Sequence, residues 1–222
     1  MRRFAILCLV LLAACSTKTP ASPTARPQVT GTAQPESPKF DVQTLLRPGT
    51  SAQSTIYGDM DGDGTDEVAV WSRADKTSGQ NIIAQSYVDI YANRAGSWTN
   101  IYDATKSGVL QTGEDFVSQS ISFMRFVKFT NTDLVVGVAT QGAGEGPLDV
   151  WVLSESKTDF HYQTTRGGQL SVDGNVLVLR TGDYKPSDAM CCPSAIATIK
   201  IGATTKGIGI ISRTSAPIPS NT

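Results

Sequence analysis

Two short segments, Val88-Asp89-Ile90-Tyr91 and Leu148-Asp149-Val150-Trp151, carry the pattern that decides the fold. Both alternate in the manner of a half-buried β-strand, because successive side chains of a strand point to opposite faces of its sheet. Each segment is followed by a polar turn and then by a stretch with aromatic residues, Trp98–Tyr102 and Phe160–Tyr162. The match indicates either a weak internal repeat or a coincidence among hairpins.

The chain after Phe40 has a β pattern throughout, since glycine is frequent and helical periodicity is hard to find. Turn residues mark 93–96, 173–175 and the Gly-rich run 142–146. A short helix is predicted at Asp41–Leu46. The predicted strands are Ser54–Tyr57, Glu67–Ser72, Ala84–Tyr91, Ser97–Tyr102, Ser120–Phe129, Asp133–Thr140, Leu148–Leu153, Phe160–Thr164, Gln169–Val172, Val176–Arg180, Ala195–Ile201 and Gly207–Arg213.

These features predict a mainly β domain of antiparallel β-meanders, arranged as blades or as a sandwich. Asp149 lies 60 residues after Asp89, which is longer than a common four-stranded propeller blade. Only two or three such units fit into the chain. The domain is therefore too short for a closed seven-bladed propeller, and an open stack of meanders is expected.

Residues 1–14 are predicted to be a lipoprotein signal peptide. A basic start at Arg2-Arg3 precedes a short apolar run and small residues, which is the pattern of an export signal. The apolar run is roughly half of the ~20 residues that a membrane-spanning helix needs. The segment Leu12-Ala13-Ala14-Cys15 resembles the lipobox of bacterial lipoproteins, which implies that Cys15 is lipidated. An ordinary signal peptide that ends near a cysteine is the alternative.

Residues 15–39 hold Cys15 and a Ser/Thr/Pro-rich tether that has almost no large apolar residues and cannot bury a core. This arrangement predicts an exported protein, lipid-anchored to the cell membrane or to the outer membrane if one is present. The β domain is expected over residues 40–216, and residues 217–222 form a tail.

Composition and charge exclude some classes of function. Hydrophobic residues make up 40% of the chain, enough for a core, and the formal net charge is only −1 without basic clusters, so no nucleic-acid partner is predicted. Motifs for a nucleophile elbow, a phosphate loop or a zinc site are absent. His161 is the only histidine and lies in a predicted strand, where a structural role is commoner than a catalytic one.

An acidic loop, Asp59 to Glu67 with the sequence Asp-Met-Asp-Gly-Asp-Gly-Thr-Asp-Glu, is the one motif that points to a cofactor. Its alternating carboxylates can converge on one centre, and hard oxygen ligands suit Ca²⁺. The predicted ligands of one Ca²⁺ are Asp59, Asp61, Asp63, Thr65 and Glu67. An acidic turn that holds no metal is the alternative. An EF-hand is excluded, because Val70 occupies the position of its last ligand and a strand follows the loop.

The loop resembles the calcium loops of FG-GAP/VCBS and integrin-α repeats over about 15 residues. The resemblance implies the same five ligand positions and a loop between strands. This chain has one such loop, whereas those families carry several. A structural ion that holds the loop is therefore expected rather than a catalytic metal.

The Cys-Cys-Pro segment, residues 188–194, contains the last two of four cysteines. Cys8 is removed with the signal peptide and Cys15 is expected to carry lipid, so Cys191 and Cys192 have only each other. A bond between neighbours is strained, because their Cα atoms lie about 3.8 Å apart. Exported thiols nevertheless tend to oxidise. We predict a vicinal Cys191–Cys192 disulfide that locks the turn. Free thiols, an intermolecular bond and a redox role are the alternatives.

The run Cys191-Cys192-Pro193-Ser194, followed by Thr198-Ile199-Lys200 and a final strand, resembles the C-terminal part of the LppP/LprE family of bacterial lipoproteins over residues 168–213. This resemblance implies location and fold rather than an activity. The predicted function is a cell-envelope lipoprotein, a calcium-stabilised binding or structural module for an envelope protein or glycan. The alternative is a hydrolase of envelope polymers that uses a carboxylate pair, for which Glu114 and Asp115 are the candidates.

Overall fold

The structure is a computed structural model that describes residues 40–78, 81–103, 118–142, 144–155, 157–189 and 191–218. The predicted signal peptide, Cys15, the tether and the acidic pair Glu114 and Asp115 lie outside the described residues and remain predictions. In the described part, no helix has both the length and the apolar character needed to cross a membrane.

The described chain is built almost entirely of strands. The predicted helix is confirmed as one turn that begins after Asp41, whose side chain accepts a hydrogen bond from the Gln43 N–H at 3.1 Å. All predicted strands are confirmed, most of them longer than predicted. The elements are α1 (Val42–Leu45), β1 (Ser51–Gly58), β2 (Glu67–Ser78), β3 (Asn81–Arg94), β4 (Ser97–Asp103), β5 (Ser118–Lys128), β6 (Thr132–Gly142), β7 (Gly144–Leu153), β8 (Thr158–Gln163), β9 (Gln169–Asp173), β10 (Val176–Asp183), β11 (Ala195–Thr204) and β12 (Gly207–Pro217).

The strands form three four-stranded antiparallel meanders, which we name sheet 1 (β1–β4), sheet 2 (β5–β8) and sheet 3 (β9–β12). Each strand pairs with the strand that follows it in its own sheet, so all pairings within a sheet are between sequence neighbours. The predicted fold class, antiparallel β-meanders rather than a closed seven-bladed propeller, is confirmed. A turn was predicted over the Gly-rich run 142–146. Most of this run instead belongs to strands, because β6 and β7 stay paired up to Gly142 and Gly144.

Sheet 2 lies in the middle of the stack and is buried on both faces. Along β6, Leu134 and Val136 pack in the core shared with sheet 1, whereas Val135 packs in the core shared with sheet 3. A strand buried on both faces needs apolar residues at successive positions, not only at alternate ones. This requirement explains the nearly continuous apolar run from Leu134 to Ala139.

The outer face of sheet 1 is covered by the segment before β1. Phe40 and Leu45 pack against Val68 and Tyr91 on this face, and the Tyr91 hydroxyl donates to the Leu45 carbonyl at 2.9 Å. The ring of Phe40 also meets the ring of Trp98 edge-on at 4.9 Å between centroids. This small third core closes the face of sheet 1 that sheet 2 does not reach.

The two segments of the internal repeat occupy equivalent places, since they lie in the third strands, β3 and β7, of sheets 1 and 2. Their aspartates also have equivalent roles as acceptors. Asp89 accepts from Arg47 at 2.8 Å and from Asn100 at 2.9 Å, and Asp149 pairs with His161 at 2.8 Å and Gln163 at 3.0 Å. The two segments thus correspond in position and in the acceptor role of their aspartates.

Candidate metal site

The acidic loop connects β1 to β2 at one end of sheet 1. Its curvature depends on two glycines, Gly62 with φ of 78° and Gly64 with φ of 85°. Residues with a Cβ adopt this left-handed conformation at a cost, whereas glycine does not. Just before the loop, the Phe126 ring lies so close to Gly58 that a Cβ there would overlap it at 2.5 Å. Sheet 2 therefore supports the strand from which the loop begins.

Three of the five predicted ligands come together. Carboxylate oxygens of Asp59, Asp61 and Glu67 all lie within 4.8 Å of one another, which is a group that could hold a metal ion. Glu67 is the first residue of β2 and is only 2% exposed, so it forms the inner side of the group. Asp59 and Asp61 form the outer side, towards solvent.

Asp63 is not part of this group, and the predicted ligand role of Thr65 stays a prediction. The Asp63 Oδ1 accepts a hydrogen bond from the Thr65 N–H at 2.7 Å. The loop is instead organised around Asp59, whose two oxygens accept from Gly62 N–H at 2.7 Å and Gly64 N–H at 3.1 Å. Asp59 thus shapes the loop and faces the other two acids at the same time.

Glu67 is the buried carboxylate of the group, and its surroundings disfavour its negative charge. Burial raises its pKa, and the negative charges of the loop aspartates raise it further. The Met60 N–H, which donates to Glu67 Oε2 at 2.7 Å, acts in the opposite direction. One backbone donor does not replace the hydration that a carboxylate loses on burial. A cation bound between the three carboxylates would supply the missing opposite charge.

Arg94 supplies one positive charge at the rim of this group. Its guanidinium lies 3.2 Å from Asp61 Oδ2 and 2.7 Å from Glu155 Oε1, and so it links the acidic loop to the turn between β7 and β8. The sequence analysis missed this contact, because Arg94 is 33 residues away from Asp61 and sits in a segment that indicates only a turn.

The Cys-Cys-Pro segment is a turn held by Asp188. Its carboxylate accepts from the Lys185 N–H and the Ser194 N–H, both at 2.8 Å, and these bonds lower the pKa of Asp188. Cys191 and Cys192 are exposed free thiols with Sγ atoms 2.6 Å apart. The contact with Cys191 raises the pKa of the Cys192 thiol. The turn is thus closed by hydrogen bonds, and the vicinal disulfide stays a prediction.

His161 lies flat on a neighbouring aromatic ring. Its imidazole stacks on Trp151 with 3.7 Å between centroids and 19° between planes, and Nε2 lies 2.8 Å from Asp149 Oδ1. Trp151 packs in turn against the core between sheets 1 and 2. These contacts fix the ring in place, which agrees with a structural role for this histidine.

Comparisons of the chain with protein-family models, with curated proteins and with solved structures gave no significant match.

Proposed function

We propose that this protein is a cell-envelope lipoprotein whose β domain serves as a binding or structural module, stabilised by one Ca²⁺ in the acidic loop. The observation that supports the proposal is the convergence of Asp59, Asp61 and Glu67 at the loop end of the β1–β2 hairpin. The lipid anchor on Cys15 rests on the sequence alone, as does the resemblance to the LppP/LprE family.

The donor set favours calcium over other metals. All three side chains offer hard carboxylate oxygens, which suit Ca²⁺, Mg²⁺ or Mn²⁺. Ca²⁺ accepts six to eight oxygens in irregular geometry, so loop carbonyls, a second carboxylate oxygen and water can complete its shell. Mg²⁺ demands a near-ideal octahedron, which a loop so constrained by its own hydrogen bonds supplies less readily. Asp63 and Thr65, the other two predicted ligands, are further candidate donors from the same loop.

The ion would stabilise the fold rather than take part in a catalytic reaction. Glu67 precedes Val68 and Ala69, both fully buried in sheet 1, so a cation held by Glu67 would tie the loop to the start of a core strand. The described residues contain no other group of three potential ligands of this kind.

Direct titration tests the metal part of the proposal. We expect calorimetry with Ca²⁺ on the full chain in mild detergent to give one site per molecule and weaker binding of Mg²⁺. Asp61→Asn should abolish the binding, because it removes one of the three convergent charges. Asp66→Asn is the matched control, since it removes an acid of the same loop from outside the group. Calcium binding that survives Asp61→Asn unchanged would count against the site.

Metabolic labelling tests the location. Cells expressing the protein are fed an alkyne-bearing fatty acid, and we expect the label on the protein and the protein in the membrane fraction. Cys15→Ser should remove both, whereas Cys8→Ser should remove neither. Labelling that persists in Cys15→Ser would refute the proposed anchor and leave the calcium proposal untouched.

A further inference from the structure

A second site candidate shares no residue with the acidic loop and is lined by residues of sheets 2 and 3. It is a pocket of about 820 Å³, within the size range of roughly 300–1,000 Å³ that is typical of small-molecule sites. Its walls come from the ends of β6 and β7, from residues 166–169, from β10 and from the Cys-Cys-Pro segment with its neighbour Tyr184. Ile196 of β11 completes the lining, so the pocket draws on separate parts of the chain from β6 to β11.

Hydrogen bonds fix part of the backbone that lines this pocket. Thr181 Oγ1 donates to the carbonyls of Arg166 at 3.1 Å and Gly167 at 3.2 Å, and the Gly167 N–H donates to the Gly146 carbonyl at 2.8 Å. These bonds join sheet 2 to sheet 3 through the segment that carries Arg166. A site whose backbone is already fixed loses little conformational entropy when a ligand binds.

One wall is made by Tyr184 and Pro193, which close over Gly182. A Cβ on Gly182 would meet the Tyr184 ring at 2.7 Å and Pro193 at 3.0 Å, so glycine is required for this packing. The Asp188 bonds described above hold the same segment, and Cys191 also lines the pocket. An aromatic ring on a well-held segment thus lines the same pocket as the two arginines.

Two arginines, Arg166 and Arg180, are among the described residues of the lining, which include no aspartate or glutamate. Arg180 is exposed on β10 and forms no ion pair or side-chain hydrogen bond in the described part of the chain, so its donors are available to a ligand. A guanidinium group matches carboxylate, phosphate and sulfate oxygens in a bidentate manner.

We propose that this pocket binds an acidic saccharide, with Arg180 contacting its carboxylate. We infer the anionic group from the arginine. We infer the sugar from the other lining residues, because the Tyr184 ring can stack on a sugar face and the Gln169 and Thr140 side chains can hydrogen-bond to hydroxyl groups. A simple anion would not need a pocket of this size or its aromatic wall. The inference deepens the proposed binding function by naming a ligand class.

Calorimetry with a galacturonate trimer as the probe tests this assignment, on the full chain in mild detergent with a reductant. We expect saturable binding of the trimer and none of maltotriose, its neutral counterpart. Arg180→Gln should weaken binding about tenfold or more, because charge-assisted hydrogen bonds contribute roughly 1.5–3 kcal/mol. Lys200→Gln is the matched control, since Lys200 is an exposed cation on the neighbouring strand of the same sheet and does not line the pocket.

A second readout locates the ligand. In a Cys192→Ser background, we expect the trimer to slow alkylation of Cys191 by iodoacetamide, because Cys191 lines the pocket. Unchanged alkylation, or equal binding by wild type and Arg180→Gln, would overturn the proposal. Equal competition by inorganic phosphate would overturn its saccharide part and leave only an anion site. Loss of Ca²⁺ binding bears on the acidic loop of sheet 1 and is measured separately, so the two failures are distinguishable.

Discussion

Removing calcium should lower the thermal stability of the protein by an amount that the acidic loop lets us estimate. The carboxylate oxygens of Asp59, Asp61 and Glu67 lie within 4.8 Å of one another. At that distance each pair of charges repels by about 0.9 kcal/mol in water and about 3.5 kcal/mol at an effective dielectric constant of 20. Arg94 offsets part of this repulsion through Asp61, and a divalent cation would reverse it.

We therefore expect the melting temperature of the full chain to differ between calcium and chelator buffers. Calcium at ~100 times its dissociation constant would add about 2.7 kcal/mol to the free energy of unfolding. For a domain of this size, that corresponds to a rise of roughly 5–10 °C. Circular dichroism at increasing temperature, recorded in millimolar Ca²⁺ and again in excess chelator, measures the difference.

Glu67→Gln makes the test sharper, because its effect should change sign between the two buffers. In chelator the substitution removes a buried charge that faces two other carboxylates, so stability should rise by on the order of 1 kcal/mol. The amide oxygen can still accept the Met60 N–H. In calcium the substitution removes a ligand, so stability should fall below that of the wild type.

Asp66→Asn serves as the control and should retain the full calcium shift. The same melting temperature in both buffers, or an effect of Glu67→Gln with the same sign in both, would refute the argument that these three carboxylates form a cation site.

Three further predictions concern other parts of the fold. Asp133 is only 4% exposed, and burial followed by repulsion from a neighbouring aspartate raises its pKa to about 6. The folded state therefore binds a proton more tightly than the unfolded state, so stability should fall by on the order of 2–3 kcal/mol as pH rises from about 4 to about 6. Asp133→Asn should remove this slope in denaturant titrations across that range, and a slope of unchanged size would contradict the assignment. Arg47→Met leaves the two aspartates of sheet 1 that it contacts, 5% and 11% exposed, without their cation, and should cost on the order of 3 kcal/mol of unfolding free energy. Arg73→Met, which breaks an exposed pair, should cost less than about 1 kcal/mol, and equal costs would argue against burial as the cause. Mild oxidation should make the protein lighter by two hydrogen atoms in mass spectrometry as the Cys191–Cys192 bond forms, whereas addition of oxygen atoms without that loss would favour free thiols.

Much of the β architecture followed from local patterns. A period of two predicted strands such as those that hold Asp89 and Asp149, because the face on which a side chain lies is set within the strand itself. The turn residues, such as those at 173–175, then predicted antiparallel neighbours, since short connections join strands into meanders. Strand ends were predicted less well. Backbone pairing continues beyond the predicted ends, as where Ser78 pairs with Asn81.

The candidate metal site was also predicted only in part from the sequence. Alternating acids and two glycines predicted a tight loop that turns its carboxylates inward, and Asp59, Asp61 and Glu67 do converge. The outward place of Asp63 was not predictable from spacing, because hydrogen bonds within the loop compete for its oxygens. Arg94 could not be predicted either, since it reaches the loop from another hairpin.

The sequence by itself determined the strands, their antiparallel meander character and the composition of the acidic loop, because each of these depends on residues a few positions apart. Only the tertiary structure decided that sheet 2 is buried on both faces, that Arg47 meets Asp89 across 42 residues, and that Arg180 shares a pocket with Tyr184 and Cys191. These features depend on how sheets stack. Stacking is set by the complementarity of whole faces, and no single segment of the chain carries that information.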